Sequence, residues 1–331
     1  MPNLVDSFGR RIDYLRISVT DRCNYHCFYC RPPGAVADGS HHDFLRHEEL
    51  ARLVRLFSEL GVSKVRLTGG EPLLRRNLAG LATMITDLPG IADLSLSTNG
   101  HLLERFAVPL KEAGINRVNI SLDSLDQDNF SAITRGGDLG CVIRGIEAAQ
   151  AAAMTPIKIN MVVMKGVNEH EIDSMLDFAL ERGLELRFIE TMPVGTAGAS
   201  NMVHYYPAAR ILERIREHYG SQLVPVQGCR GPGPARYYQA GDSAVKVGVI
   251  SAVSRHFCES CNRVRLTARG DLVLCLGHED RVSLRSALRD GRSDAGIKQD
   301  ILAAIARKPE HHDFSSAADQ PVTAQMVTLG G

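Results

Sequence analysis

Tryptophan is absent from the chain and aromatic residues make up only 5% of it, so there is little surface on which nucleic-acid bases could stack. Neither sign of charge is in excess: Lys+Arg and Asp+Glu number 38 each, which excludes a surface broadly coated for nucleic acid. There is no run of about 18 apolar residues, and the N-terminus (Met1-Pro2-Asn3-Leu4-Val5-Asp6) carries an acid where a secretory signal needs basic and then apolar residues. A soluble cytoplasmic protein is expected, with no membrane and no nucleic acid among its partners. What is present is 331 residues, 44% apolar and 23% charged, enough for a sizeable core in two domains or in one barrel with an extension. The eight cysteines are then poor disulfide candidates and better metal or redox candidates.

Between residues 14 and 193 short β-type segments alternate with helical ones. Strands are expected over 14–20, 64–70, 93–99, 117–123, 157–165 and 185–192. Helices near 47–60, 77–87, 102–113, 140–153 and 170–182 carry the i, i+3, i+4 apolar pattern, as in Leu50, Leu53, Val54 and Phe57. Repeated βα units imply a parallel sheet. A doubly wound open sheet also fits the alternation, but cysteines stand where its Gly-x-Gly-x-x-Gly turn would follow the first strand. The expected fold is α/β, an incomplete (βα)6 TIM-type barrel.

A parallel strand covered on both faces should be almost continuously apolar. These strands are not: Asn119, Ser121 and Asp123 share one face, as do Arg66, Thr68 and Gly70, and Lys158 with Asn160. Helices cover the outer face, so the polar set points inward, and the lumen is expected to be wet, polar and locally basic, suited to a large anionic substrate. The rhythm breaks at Gly195-Thr196-Ala197-Gly198-Ala199-Ser200, which places a boundary there and divides the chain into 1–200 and 201–331. Beyond it a helix is expected near 207–218, β-type segments near 222–227, 235–240 and 245–251 around the turn Gly231-Pro232-Gly233-Pro234, helices near 282–289 and 293–307, and an irregular tail over 309–331.

After the first strand comes Cys23-x3-Cys27-x2-Cys30, three thiols within eight residues. Zinc normally closes with four ligands at other spacings, leaving a knuckle with a distant ligand such as His26 as the alternative. The run resembles the signature of the radical S-adenosylmethionine (SAM) superfamily, in which three cysteines hold three irons of a 4Fe-4S cluster. The resemblance implies that SAM chelates the remaining iron and is cleaved to a 5'-deoxyadenosyl radical. Thr68-Gly69-Gly70-Glu71-Pro72 supports it, with side-chain-free glycines leaving a backbone edge open to the SAM ammonium group. A second set, Cys258-x2-Cys261-x13-Cys275, leaves zinc with His256 or His278 open on spacing alone. Within it, Arg263 and Arg265 share a face of the extended run Arg263-Val264-Arg265, an arrangement suited to clamping phosphate. Cys141 reads as a helix core residue and Cys229 as an incidental loop thiol.

From residue 7 to Gly330-Gly331 the chain resembles the family of molybdenum cofactor biosynthesis protein A, the GTP 3',8-cyclases. The resemblance rests on Asp13-Tyr14-Leu15-Arg16-Ile17-Ser18-Val19-Thr20-Asp21-Arg22-Cys23-Asn24, Ser121-Leu122-Asp123-Ser124-Leu125-Asp126, Arg187-Phe188-Ile189-Glu190-Thr191-Met192-Pro193 and Phe257-Cys258-Glu259-Ser260-Cys261-Asn262-Arg263-Val264-Arg265. It implies a lyase with two 4Fe-4S clusters, the second held by Cys258, Cys261 and Cys275 in the C-terminal α+β extension and open to the guanine of GTP. The radical would remove the ribose 3' hydrogen and the 3' carbon would bond to guanine C8, giving 3',8-cyclo-7,8-dihydro-GTP. Tyr29, Gly70, Ser121 and Met192 would line the SAM site. Arg16, Arg66, Ser97, Lys158, Arg187, Arg263, Val264 and Arg265 would hold GTP, with Arg16, Arg263, Arg265 and the tail Gly330-Gly331 serving catalysis. A homodimer, an electron donor such as flavodoxin or ferredoxin, and transfer of product to cyclic pyranopterin monophosphate synthase are also implied. Two other readings compete: a peptide-modifying radical SAM enzyme, which would usually carry seven or more C-terminal cysteines, and a zinc-stabilised binding protein.

Overall fold

The six alternating segments form strands β1 (Tyr14–Ser18), β2 (Lys64–Thr68), β3 (Asp93–Thr98), β4 (Arg117–Ser121), β5 (Ile157–Val163) and β6 (Glu185–Glu190). In this computed structural model, which describes residues 4–31, 43–195, 197–220, 223–226, 233–240, 245–314 and 325–330, they are joined by α1 (His47–Glu59), α2 (Leu78–Thr86), α3 (Leu103–Glu112), α4 (Gln127–Thr134), α5 (Leu139–Ala151) and α6 (Ile172–Glu181). Cys229, the turn residues Gly231 and Pro232, Gly331 and most of the 31–46 loop lie outside the described residues. The short α4 lacks a clear periodic stripe; it starts where Asp126 caps the Asn129 N–H. After α7 (Gly198–Asn201) and α8 (Ala208–Tyr219) come β7 (Leu223–Pro225), β8 (Arg236–Ala240), β9 (Lys246–Ile250), β10 (Arg263–Leu266), β11 (Asp271–Val273) and β12 (Arg281–Ser283), then α9 (Leu284–Arg289), α10 (Asp294–Ala306) and α11 (Met326–Leu329).

The strands form one sheet in the order β12-β11-β10-β1-β2-β3-β4-β5-β6-β9-β8-β7. β1 to β6 are parallel, β10 adds parallel to β1, and β9 adds parallel to β6. The C-terminal region therefore extends both margins of the barrel, and antiparallel hairpins finish each side. Apolar residues alternate to the outer face, where Leu15, Ile17, Val65, Leu67, Val118, Ile120, Ile157, Ile159, Leu186 and Phe188 meet the helices in the main core. The polar residues between them are left for the lumen. Among the described residues no helix is long and apolar enough to cross a membrane.

Candidate active site

The exit of β2 fixes the cysteine loop. Val19 N–H donates to Thr68 O (2.9 Å), Gly70 N–H to Thr20 O (2.9 Å) and Glu71 N–H to Arg22 O (2.7 Å). A Cβ at Gly69 (φ +141°) or Gly70 would stand 2.3 Å from the backbone oxygen of Thr20 or Arg22 respectively, so the missing side chains first serve to seat this loop. Glu71 is fully buried and accepts from Leu73 N–H (3.0 Å), Thr98 Oγ1 (2.8 Å) and Asn99 N–H (2.8 Å); burial lifts its carboxyl to about 7 against these donors. Asn99 also donates to Asn24 Oδ1 (2.8 Å). On the far side, His26 N–H and Phe28 N–H donate to Thr134 O (3.0 Å) and Ile133 O (3.1 Å) at the end of α4. Tyr29 is held twice: its hydroxyl donates to Asp123 Oδ2 (2.6 Å) and its carbonyl accepts from Asn201 Nδ2 (2.7 Å).

Cys23, Cys27 and Cys30 line a cavity of about 210 Å³ together with Tyr29, Gly70, Ser121, Asp123 and Met192. Burial raises the Cys23 thiol, and burial with the neighbouring thiols raises Cys27 well above its ordinary value and Cys30 to about 12. Three thiols that resist ionisation for these reasons fit a cationic iron core, which removes both costs by drawing off the protons.

A larger cavity of about 550 Å³ adjoins the first, and Ser97, Asn160, Ile189 and Met192 wall both. Its lining includes Arg16, Arg66, Arg187, Arg263 and Arg265. The register sets Arg265, Arg16 and Arg66 side by side on β10, β1 and β2, and Arg263 beside Tyr14. Cations toward the strand starts have acids: Lys64 pairs with Asp13 (2.7 Å), Arg117 with Asp93 and Lys158 with Glu185. By contrast, Nε of Arg66, Arg187, Arg263 and Arg265 is buried without a hydrogen-bond partner among the described residues. Burial lowers Arg16 and Arg187, and burial with Arg263 nearby brings Arg265 to about 10. Burial opposes ionisation of Tyr14, yet Arg66, Arg16, Arg263 and Arg117 outweigh it and pull the phenol below its ordinary value. Such a belt is costly until an anion satisfies it, which matches the chemistry of a triphosphate.

The second cysteine set borders the same cavity, with Cys258, Cys261 and Cys275 all in its wall. Arg10 ties the region together, donating to Cys258 O (3.0 Å), Pro309 O (2.6 Å) and Glu310 O (2.5 Å). Burial raises Cys258; at Cys261 burial is outweighed by Lys308, Arg263 and Arg265, and the thiol is lowered. Of the two histidines open to a zinc reading, His256 lies near Cys258 with His312, their ligand atoms all within 4.8 Å, whereas His278 faces the carbonyl of His311 (3.0 Å). His312 is not poised as a ligand: Phe314 N–H donates to its Nδ1 (3.2 Å) and its Nε2 faces His256 Nδ1 (3.4 Å).

Of the expected site residues that the structure describes, all but Val264 and Gly330 line one of the two cavities. Val264 is buried in the main core, so only its backbone can reach the cavity. Lys158 lines the cavity but is already paired with Glu185 and near Tyr237. Gly330 sits at φ +71°, where a Cβ would meet Thr68 Cγ2 at 2.4 Å; Met326 and Val327 before it wall the smaller cavity. Cys141 is not a core residue: it lies in the first turn of α5, its thiol donating to Asp138 Oδ2 (3.4 Å) and receiving Arg144 Nη2 (3.1 Å). Tyr14, Asn201, Lys308 and His312 were not legible as site residues; only the polar strand faces pointed to Asn119, Asn160 and Asp123.

A family profile described as radical SAM superfamily matches residues 17–179, and one described as Molybdenum Cofactor Synthesis C matches residues 184–314. Among solved structures, Streptococcus suis SuiB bound to S-adenosylmethionine is similar with a TM-score of 0.62 at 15% identity, covering 88% of this chain and 69% of that one. AnSMEcpe with bound AdoMet gives 0.58 at 15% identity, covering 93% and 84%. These likenesses show the fold. The GTP 3',8-cyclase of Hydrogenovibrio crunogenus is 52% identical over 99% of both chains, and that of Pelotomaculum thermopropionicum is 44% identical over 98% of this chain and 99% of its own. Two cysteine triads on one arginine-lined lumen and this full-length identity lead to one conclusion: the chain belongs to the GTP 3',8-cyclase family of the radical SAM superfamily.

Proposed function

We propose that the chain converts GTP to 3',8-cyclo-7,8-dihydro-GTP, the first step of molybdenum cofactor biosynthesis, with SAM and two 4Fe-4S clusters. The observation that carries this reading is the meeting of two cavities, each walled by a cysteine triad, at Ser97, Asn160, Ile189 and Met192. Cys23, Cys27 and Cys30 would hold the cluster that binds SAM, and the bound pair would supply the radical chemistry that removes the ribose 3' hydrogen.

The chain's own residues bind and orient. Tyr29, Gly70, Ser121 and Met192 enclose SAM in the smaller cavity. Arg66, Arg187, Arg263 and Arg265, with Arg16, hold the triphosphate and base in the larger one; Ser97 and Lys158 complete the contacts, and Val264 contributes through its backbone. Cys258, Cys261 and Cys275 hold the second cluster, and the lowered Cys261 thiol suits that role. Gly330 brings the glycine tail beside Thr68 and Ser18 at the strand ends, and the tail Gly330-Gly331 serves catalysis. Residues 1–200 form the radical SAM partial barrel and share the GTP contacts with residues 201–331, which add the second cysteine triad, Arg263 and Arg265 to the same lumen. The product goes to cyclic pyranopterin monophosphate synthase, an external donor such as flavodoxin or ferredoxin supplies electrons, and the protein works as a cytoplasmic homodimer.

Anaerobic turnover with SAM, GTP and a reductant tests the reading. Protein carrying about eight irons should give 5'-deoxyadenosine together with a cyclised GTP. Deoxyadenosine with GTP untouched would remove the substrate, and colourless protein holding stoichiometric zinc would favour the zinc-stabilised binder.

A further inference from the structure

Two carboxylates wall the smaller cavity among the described residues, Asp123 and Glu190, and they are not equivalent. Glu190 is saturated: Oε1 accepts from Tyr205 Oη (3.2 Å) and Ala208 N–H (2.6 Å), and Oε2 from Val253 N–H (2.9 Å) and Ser254 N–H (3.0 Å). It closes the joint between β6, α8 and the segment after β9. Asp123 accepts one hydrogen bond at each oxygen, from Val162 N–H at Oδ1 (2.8 Å) and from Tyr29 Oη at Oδ2 (2.6 Å), which leaves acceptor capacity on both. It is 4% exposed, and among the described residues its carboxylate's only hydrogen-bond partners are these two neutral groups, although Arg31 also walls the cavity. Its hydrogen-bond partner Tyr29 lies between Cys27 and Cys30 in the chain, and all four line the cavity, so it stands on the cysteine side.

A buried carboxylate that no described cation pairs with directly keeps an unneutralised charge, and it attracts a positive ligand group more strongly than the same pair would attract in water. On the reading that this cavity takes SAM, the ligand brings a sulfonium cation. We propose that Asp123 is a specificity-determining residue that makes the cavity favour SAM, a sulfonium, over its neutral thioether S-adenosylhomocysteine. The two ligands share the adenosine and the amino acid groups, and the thioether lacks only the methyl group and its charge. Their affinity ratio therefore isolates the electrostatic contribution from the packing both enjoy.

The test is anaerobic equilibrium dialysis of both ligands against the iron-loaded full chain, wild type beside Asp123→Asn, Asp123→Glu and Tyr29→Phe. Asp123→Asn should weaken SAM about 5- to 50-fold and leave S-adenosylhomocysteine within about twofold, collapsing the preference. Asp123→Glu retains the charge and should retain the preference. Tyr29→Phe keeps the carboxylate, so both affinities should move together. A ratio unchanged in Asp123→Asn, whether both ligands weaken alike or neither does, overturns the proposal while leaving the function intact. A wild-type protein that binds neither ligand overturns the reading on which the proposal rests, and the proposal with it.

Discussion

The guanidinium of Arg16 donates through Nη2 to the carbonyl oxygen of Gly330 at 3.1 Å, joining the first strand to the C-terminal tail across 314 residues of chain. The same Arg16 stands between Arg265 and Arg66 in the sheet register, so the tail is anchored on the arginine belt itself. α11 supplies the other half of the anchor, with Leu329 packed in a small apolar cluster with Val194, Val253, Val273 and Phe314.

Gly330→Ala tests that anchor. The residue lies in the left-handed region, and the added methyl would also meet Thr68 Cγ2 at 2.4 Å and Ser18 Oγ at 2.9 Å. A strain of about 1–3 kcal/mol against the seated tail lowers its population about 5- to 150-fold. Cyclised product should fall accordingly, while iron content stays at the wild-type level. Full cyclisation by the alanine variant would show that the seat seen here is not used in turnover.

Arg263 offers a direct measure of the belt. Its Nε is buried without a partner, its guanidinium lies 5.3 Å from the ring centre of Phe257, and no carboxylate pairs with it among the described residues. Arg263→Ala should weaken GTP binding about 10- to 150-fold, the range of one charge-assisted hydrogen bond of about 1.5–3 kcal/mol. Titration calorimetry at fixed ionic strength reads this, and unchanged affinity would remove Arg263 from the GTP contacts.

The belt also shows where sequence reasoning reaches and where it stops. Arg66, Asn119 and Lys158 were legible as lumen residues because a polar residue at every second position of a helix-covered strand has one place to go. The same logic separates Arg263 and Arg265 from Val264. Tyr14 gave no such signal, since an aromatic at a strand start looks like any core residue; its neighbours Arg263 and Arg66 arrive from strands set by long-range register. His312 falls in what reads as an irregular tail, and Lys308 sits between that tail and the expected helix near 293–307. They reach the cavity because Arg10, 299 residues before Pro309 in the chain, binds the carbonyls of Pro309, Glu310 and Cys258. The pairing of β9 and β10 to opposite margins of the barrel is likewise invisible to a local pattern.

Two carboxyls near the cysteine loop set a pH dependence of stability in metal-free protein. Burial lifts Glu71 from 4.5 to about 7 and Asp123 from 3.8 to about 6. Between those limits the native state binds protons that the unfolded chain has already released, so stability falls as pH rises. The contribution is fully present below the unfolded values and is lost as pH rises through about 6 for Asp123 and about 7 for Glu71. Each group accounts for about 1–3 kcal/mol across its window. Glu71→Gln and Asp123→Asn cannot titrate, so thermal unfolding followed from pH 8 down to pH 5 should show wild type gaining stability relative to each variant. Parallel curves for wild type and variants would mean that the donors around these carboxylates (Thr98, Asn99 and Leu73 for Glu71, Val162 and Tyr29 for Asp123) hold them ionised throughout.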